Sequence, residues 1–265
     1  MSKPINRHIR RAGWLLAGLS AFAAQADIGP AGSGLTARAS NASTTFWSPA
    51  GITRLDQPEL MVGATVAVTQ SKFEVDESNR SGGDADSDTT LLAIPSFYYV
   101  HPVNERWRVG ASLTVPSGFG NEYGKSWSGR YLAEESNLAF VALAGTVGYK
   151  LTDHWSIGGG PIMMYTDSET KARINNFNAP DGRIKLEEDG VGFGWQAGMM
   201  YEFSESARVG MVYRADIDPD LSGKPRFQNI GPVLDGVLNA TGLKNQNIDV
   251  KFKVPEQLQL GYYQA

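Results

Sequence analysis

The chain has 265 residues with 24 basic and 28 acidic side chains, 30 glycines, 10% aromatic residues and no cysteine. The lack of cysteine excludes disulfide frameworks, thiolate metal sites and thiol nucleophiles, and outside the leader no apolar run approaches the ~20 residues a spanning helix needs. The net charge of −4 disfavours nucleic acid as a partner, because phosphates demand clustered Lys and Arg.

Residues 1–26 read as a secretory signal. Lys3, Arg7, Arg10 and Arg11 form a positive region, residues 12–23 are apolar, and Ala24-Gln25-Ala26 is a small-x-small cleavage site. The apolar stretch is too short for an anchor helix, the alternative reading. Cleavage before Asp27 leaves 20 of the 24 basic residues against 28 acidic ones, a more acidic chain still.

Residues 27–57 are small and polar without a strand or helix period, yet Phe46, Trp47, Ile52 and Leu55 supply apolar surface, and Ser48-Pro49-Ala50-Gly51 turns sharply. A linker is one reading of this composition. A plug docked inside a barrel, with Phe46, Trp47, Ser48, Pro49, Ala50 and Gly51 at its centre, also accounts for the large apolar residues.

From residue 58 the pattern becomes strict alternation. Leu60, Val62, Ala64, Val66 and Val68 share one face, as do Trp107, Val109, Ala111, Leu113 and Val115, then Val191, Phe193, Trp195, Ala197, Met199, Tyr201 and Phe203, then Val209, Met211 and Tyr213. The opposite faces carry mostly small or polar residues, among them Gly63, Thr65, Gly110, Ser112, Gly192, Gln196 and Gly210. Weaker strands are expected at 91–100, 138–149, 155–165 and 248–254, with a ninth beginning at 257. Pro95 cannot donate a ladder hydrogen bond, so a bulge is expected there. Short connections (101–106, 150–154, 204–207, 255–256) alternate with long ones (72–90, 117–137, 166–190, 217–247), which is the arrangement of an outer-membrane barrel. The expected fold is therefore all-β, a transmembrane antiparallel β-barrel over residues 58–265, with aromatic girdles at the strand ends and lipid and lipopolysaccharide against its outer face. An upward ninth strand ending at 265 cannot close, so we expect a partial barrel; a small eight-stranded barrel with a tail is the alternative.

Four stretches resemble the FadL/TodX family of outer-membrane transporters: Phe46 to Leu55 (FWSPAGITRL), Pro116-Ser117-Gly118-Phe119-Gly120 with Trp127-Ser128-Gly129-Arg130-Tyr131, Leu151 to Gly158 (LTDHWSIG), and Gly192 to Gly198 (GFGWQAG). The resemblance implies a 14-stranded barrel with an N-terminal hatch in its lumen, of which this sequence lacks about five strands and the C-terminal aromatic insertion signal. It implies uptake of a hydrophobic small molecule, a fatty acid or hydrocarbon, by a monomer without cofactor. The family's hatch motif is Asn-Pro-Ala; here Ser48 replaces the asparagine, and serine can still accept a turn-capping hydrogen bond. The family's third strand carries an inward kink that opens the wall sideways, which assigns Pro116, Gly118, Phe119 and Gly120 to that region. A simple strand-to-loop turn is the other reading.

An amphipathic ligand calls for an apolar path with a few cations at one end. Phe46, Trp47, Phe119, Trp127 and Tyr131 are the candidate lining, and Arg130, Lys171, Arg173 and Arg214 the candidate carboxylate partners. Solvated loop or lumen charges are the plainer reading of these cations, and strand phase turns Arg214 alone inward. His101 and His154 both fall in short turns, away from any luminal serine, so a hydrolase triad is disfavoured and no enzyme is expected. Asp84, Asp86 and Asp88 have alternate carboxylates but lack the rest of a calcium loop, and no metal site is assigned. An open diffusion porin remains a rival that needs no hatch.

Overall fold

A computed structural model describes residues 34–69, 71–74, 83–86, 90–176 and 180–265. The signal sequence, the first residues of the N-terminal segment and Asp88 lie outside them.

The strands are β1 (Glu59–Thr69), β2 (Lys72–Phe73), β3 (Ala85–Asp86), β4 (Thr90–Pro102), β5 (Trp107–Glu122), β6 (Glu135–Lys150), β7 (Trp155–Ile174), β8 (Gly182–Glu202), β9 (Ala207–Arg214), β10 (Asp220–Gln228), β11 (Ile248–Lys251) and β12 (Gln257–Gln264). β1, β4, β5, β6, β7 and β8 follow one another as antiparallel neighbours in a sheet curled into a half-barrel. β2 and β3 pair as a separate small hairpin.

Burial in this sheet is inverted relative to a water-soluble protein. Phe193 is 73% exposed and Val62 72%, whereas Gln196 is 1% exposed and Thr146 3%. A water-soluble sheet would bury its valines and phenylalanines; an outward apolar band over a polar interior is the solution for lipid outside. The short turns carry the aromatic girdle: Trp107 packs on Tyr149 with ring centroids 4.5 Å apart, and Trp155 on Tyr201 at 4.8 Å.

Three expectations about the wall are corrected. Pro95 stands opposite Ala64 in an unbroken β1–β4 register, so no bulge forms there. The bulge is in β5: Thr114 pairs with Ala142 but Ser117 with Phe140, so Val115 and Pro116 share the space opposite Val141. β5 then continues to Glu122, so its second half is no strand-to-loop turn. β4 pairs with β5 only from Phe97–Leu113 to Pro102–Arg108. Above that level β4 and β5 part, and Pro95 and Pro116, which have no N–H to donate, lie on the two sides of the parting.

The third correction concerns residues 215–264. The lower half of β8 pairs with β9 and its upper half with β10, so β9 and β10 are two halves of one interrupted strand. β12 pairs with β9 and β11 with β10 in the same sense. Pro255-Glu256 is therefore an interruption and not a turn, and the chain's last strand runs on to Gln264 in place of an upward ninth. The long connection expected at 217–247 holds β10 and a helix, α3 (Pro232–Ala240).

The N-terminal segment folds against the inward face of this wall as two single turns of helix, α1 (Leu35–Arg38) and α2 (Thr44–Trp47), followed by a 3-10 turn at Pro49–Arg54. Its close approach explains the inward glycines. A Cβ on Gly158 would lie 2.3 Å from the Pro49 carbonyl oxygen, and one on Gly210 2.3 Å from the Thr36 carbonyl oxygen. Packing at that distance admits no side chain on the strand.

Candidate functional site: a luminal cavity beneath the N-terminal segment

The N-terminal segment is held by hydrogen bonds to its backbone carbonyls, which its short helices leave unsatisfied. Thr146 Oγ1 and Gln196 Nε2 both donate to the Thr45 carbonyl, at 2.9 and 3.2 Å. Arg214 Nη2 donates to the Phe46 carbonyl at 2.8 Å, Arg208 Nε to that of Ala37 at 2.6 Å, and Arg108 Nε to that of Leu55 at 2.7 Å. Thr53 Oγ1 donates to Ser156 Oγ at 2.8 Å. The wall residues in these bonds, Thr146, Gln196, Arg214, Arg208, Arg108 and the acceptor Ser156, all stand at buried, inward positions of their strands, where the alternation places polar residues.

Of the six central residues assigned from sequence, Phe46, Trp47, Ser48, Pro49, Ala50 and Gly51 are all buried in the lumen. Ser48 makes no side-chain capping bond, contrary to expectation; the turn is closed instead by the Gly51 N–H donating to the Ser48 carbonyl at 2.8 Å. Gly51 is required because a Cβ there would meet the Ala39 methyl at 2.6 Å.

Against Phe46 and Trp47 lies a cavity of about 270 Å³. The β5 bulge contributes Pro116, Ser117 and Phe119 on one side, and β6 and β7 contribute Leu138, Phe140, Ile162 and Met164. On the other side the interrupted strands contribute Ala215, Ile217, Phe252 and Val254. Its cations are Arg214 and Lys253. The Arg214 guanidinium is 4.8 Å from the ring centre of Phe46 and 5.5 Å from that of Trp47, and Nη1 donates to Gln259 Oε1 at 3.2 Å. Cation–ring contacts of this kind are worth about 0.5–2 kcal/mol. Lys253 pairs with Asp216 at 2.5 Å. Lys253 is largely exposed, so the buried guanidinium of Arg214 is the charge set against the apolar walls, an arrangement that suits an amphipathic molecule with an anionic head.

The other cations named from sequence stand elsewhere, on the outer extension of the sheet. Arg130 pairs with Asp181 at 3.1 Å and stacks on Tyr131, whose hydroxyl donates to Asp181 at 3.0 Å. Lys171 bridges Glu135 and Glu169 at 2.6 and 2.5 Å, and Arg173 and Arg183 converge on the buried Glu134 at 2.9 and 3.1 Å. Trp127 stacks with Tyr123 and donates from Nε1 to the Ala133 carbonyl at 2.9 Å. Arg130, Lys171, Arg173, Trp127 and Tyr131 thus build the outer rim and do not line the cavity. Of the region assigned to the kink, Pro116 and Phe119 line the cavity, while Gly118 and Gly120 continue the β5–β6 ladder opposite Ala139 and Asn137.

Phe140, Ile162, Met164, Ile217, Phe252, Lys253 and Val254 were not singled out from sequence. Phe140, Ile162 and Met164 share an inward strand phase with Thr146 and Gln196 and were legible in that way. The interruption that carries Ile217 and Phe252 is marked only by Pro219 and Pro255. His154 sits in a short turn with Nδ1 donating to the Glu202 carbonyl at 2.7 Å. Among the described residues no three metal-ligating side chains are gathered, and Asp84 joins no such group.

An antiparallel half-barrel, apolar outside and polar inside, with its N-terminal segment folded into the lumen, defines an outer-membrane β-barrel protein. The family model described as outer membrane protein transport protein (OMPP1/FadL/TodX) matches residues 12–265. The chain belongs to this family, which is one of transport proteins and not of enzymes. It is 26% identical over 266 residues to a long-chain fatty acid transport protein of Escherichia coli O6:H1, covering 89% of this chain and 59% of that relative. It is 28% identical over 228 residues to a 47 kDa outer membrane protein of Pasteurella multocida, covering 81% and 52%. Among solved structures, a Pseudomonas aeruginosa FadL homologue superposes with a TM-score of 0.68 at 19% identity, covering 84% of this chain and 61% of that one. The Pseudomonas putida toluene transporter TodX superposes with a TM-score of 0.58 at 19% identity, covering 87% and 66%. The chain thus spans about three fifths of the length of the relatives it matches.

Proposed function

We propose that the protein takes up hydrophobic small molecules across the outer membrane, that residues 27–57 act as its hatch, and that long-chain fatty acids are its substrates. The observation that carries this reading is the cavity itself: apolar walls against Phe46 and Trp47, with Arg214 and Lys253 as its cations. A carboxylate placed at Arg214 would accept the guanidinium's N–H groups in competition with the Phe46 carbonyl, so ligand and hatch share one donor. The parting of β4 from β5 beside the cavity supports lateral release into the lipid, since a tail that leaves between two unpaired strand edges never enters water. On this reading the protein works as a monomer with lipid and lipopolysaccharide around its apolar band.

Cells lacking their own uptake system and expressing the protein should accumulate labelled oleate in a saturable manner, and faster than they accumulate toluene. Accumulation of toluene or an alkane without oleate would reassign the substrate to hydrocarbons, which the aromatic lining also accommodates. Steady ion conductance in planar bilayers with no saturable uptake of either would replace the hatch reading with an open porin.

A further inference from the structure

Between Arg214 and Asp220 one wall strand leaves the sheet, and between Lys251 and Gln257 its neighbour leaves with it. The two departures remain bonded to each other. Ile217 N–H donates to the Val254 carbonyl at 3.0 Å and Val254 N–H to the Ile217 carbonyl at 2.9 Å. Residues 190–194 of β8, facing this fold, have no ladder partner on that side. Ile217 fills the space they leave: a Cβ on Gly192 would lie 2.6 Å from Ile217 Cγ2, and one on Gly194 2.6 Å from Ile217 Cγ1. Pro219 and Pro255 have no N–H with which to rejoin a ladder.

Such an interruption costs backbone hydrogen bonds, and its usual return is a re-aimed side chain next to a functional site. Here the side chain is Phe252. Its ring centre lies 5.3 Å from that of Phe140 on β6, although β6 and β11 are separated in the sheet by β7, β8 and β10. Phe140 lies farther along β6 from the short turn than Thr146, which bonds the N-terminal segment, so the two rings meet on the outer side of that contact. Both rings line the cavity.

We propose that Phe252, carried inward on the Ile217–Val254 fold, and Phe140 form a width-selective constriction that admits straight or flat apolar tails and rejects bulky fused rings. The proposal rests on the uptake reading and adds to it the residues that set the ligand's cross-section. At a centre-to-centre distance of 5.3 Å the two rings are in contact, so a tail passes only by parting them, and the width they can open follows the volume of residue 252 and the depth at which Ile217 seats in the Gly192–Gly194 notch.

The test compares two probes in cells expressing the protein: palmitate, and a fatty acid of similar length with a pyrene ring system at its tail. Outer-membrane insertion is followed by heat-modifiable electrophoretic mobility. Phe252→Ala should raise the pyrene-to-palmitate uptake ratio about tenfold, the discrimination typical of a small change in fit to an apolar wall. Phe252→Trp should lower the ratio, and Gly192→Val, which pushes Ile217 inward, should lower it too. If Phe252→Ala does not insert, Phe252→Leu and Phe140→Leu carry the same prediction. Inserted variants with an unchanged ratio and normal palmitate uptake would overturn the constriction while leaving the proposed function standing. A wild-type protein that takes up neither probe would remove the proposed function, and this inference with it.

Discussion

Arg214 donates to the main-chain carbonyl of Phe46 at 2.8 Å while its guanidinium lies over the rings of Phe46 and Trp47. One side chain therefore touches both the N-terminal segment and the cavity, and it is the cavity-facing cation that strand phase already turned inward. The charge and the fork are separable properties. Arg214→Lys keeps the charge and loses the planar fork, whereas Arg214→Met loses both.

We expect Arg214→Met to weaken binding of a long-chain carboxylate about tenfold or more, in line with a hydrogen bond to a charged group at about 1.5–3 kcal/mol. Binding of the corresponding alcohol should change far less. Tryptophan fluorescence titration, reporting on Trp47, measures both affinities. Equal losses for acid and alcohol would show that Arg214 acts through packing and not through the head group.

The contact between Gly158 and Pro49 predicts that wall glycines control how the hatch seats. Gly158→Val places carbon where the Pro49 carbonyl oxygen now lies. The barrel should still insert, because the outward apolar face is untouched, and planar-bilayer conductance should rise toward that of a variant lacking residues 27–57. A tight pore in the Gly158→Val protein would show that the segment can seat without this contact.

The β5 bulge rests on one extra residue. Deleting Pro116 should restore the register of β5 against β6, draw the upper half of β5 toward β4 and reduce ligand release into the membrane severalfold, with cavity binding retained. Uptake and equilibrium binding measured on the same variant separate the two effects. Undiminished uptake would place the exit elsewhere.

The outer extension of β7 and β8 carries an ion-pair ladder whose pH response follows from Glu169. Burial pushes its carboxyl up, but hydrogen bonds from Lys171 and Lys185 and their charges outweigh this and hold it below the usual carboxylate range. A carboxyl depressed in the folded state adds stability above its unfolded value, and that stability is lost as pH falls through the folded one. Resistance of the 166–190 hairpin to proteolysis should therefore be constant near neutrality and fall below about pH 4. Glu169→Gln should flatten that dependence.

Glu134 is buried and accepts from both Arg173 and Arg183. Glu134→Ala strands two partly buried guanidinium groups and should cost about 3 kcal/mol, the penalty of breaking rather than replacing a buried pair. Protease nicking at the outer rim, with the membrane portion still heat-modifiable, is the expected result.

Strand phase in the sequence identified the lipid-facing residues, the inward glycines and the inward arginine, because a period of two is a local property of the chain. The six N-terminal residues have no such phase, and they were expected in the lumen only because large apolar side chains without a period of their own need a docking surface. Lys171, Arg173 and Arg130 were harder to read: a cation's partner depends on which strands are neighbours, and each of these found a carboxylate brought near by the sheet.

Composition and alternation by themselves determined that this chain is an outward-apolar antiparallel barrel wall with a non-strand segment before it. Only the tertiary structure decided where the wall departs from regularity, at Val115–Pro116 and at the Ile217–Val254 fold, and that these departures face the same cavity. The reason is physical. A proline or glycine permits a break in a ladder, but whether the break is a turn, a bulge or an inward fold depends on the neighbouring strand, which a linear sequence does not display.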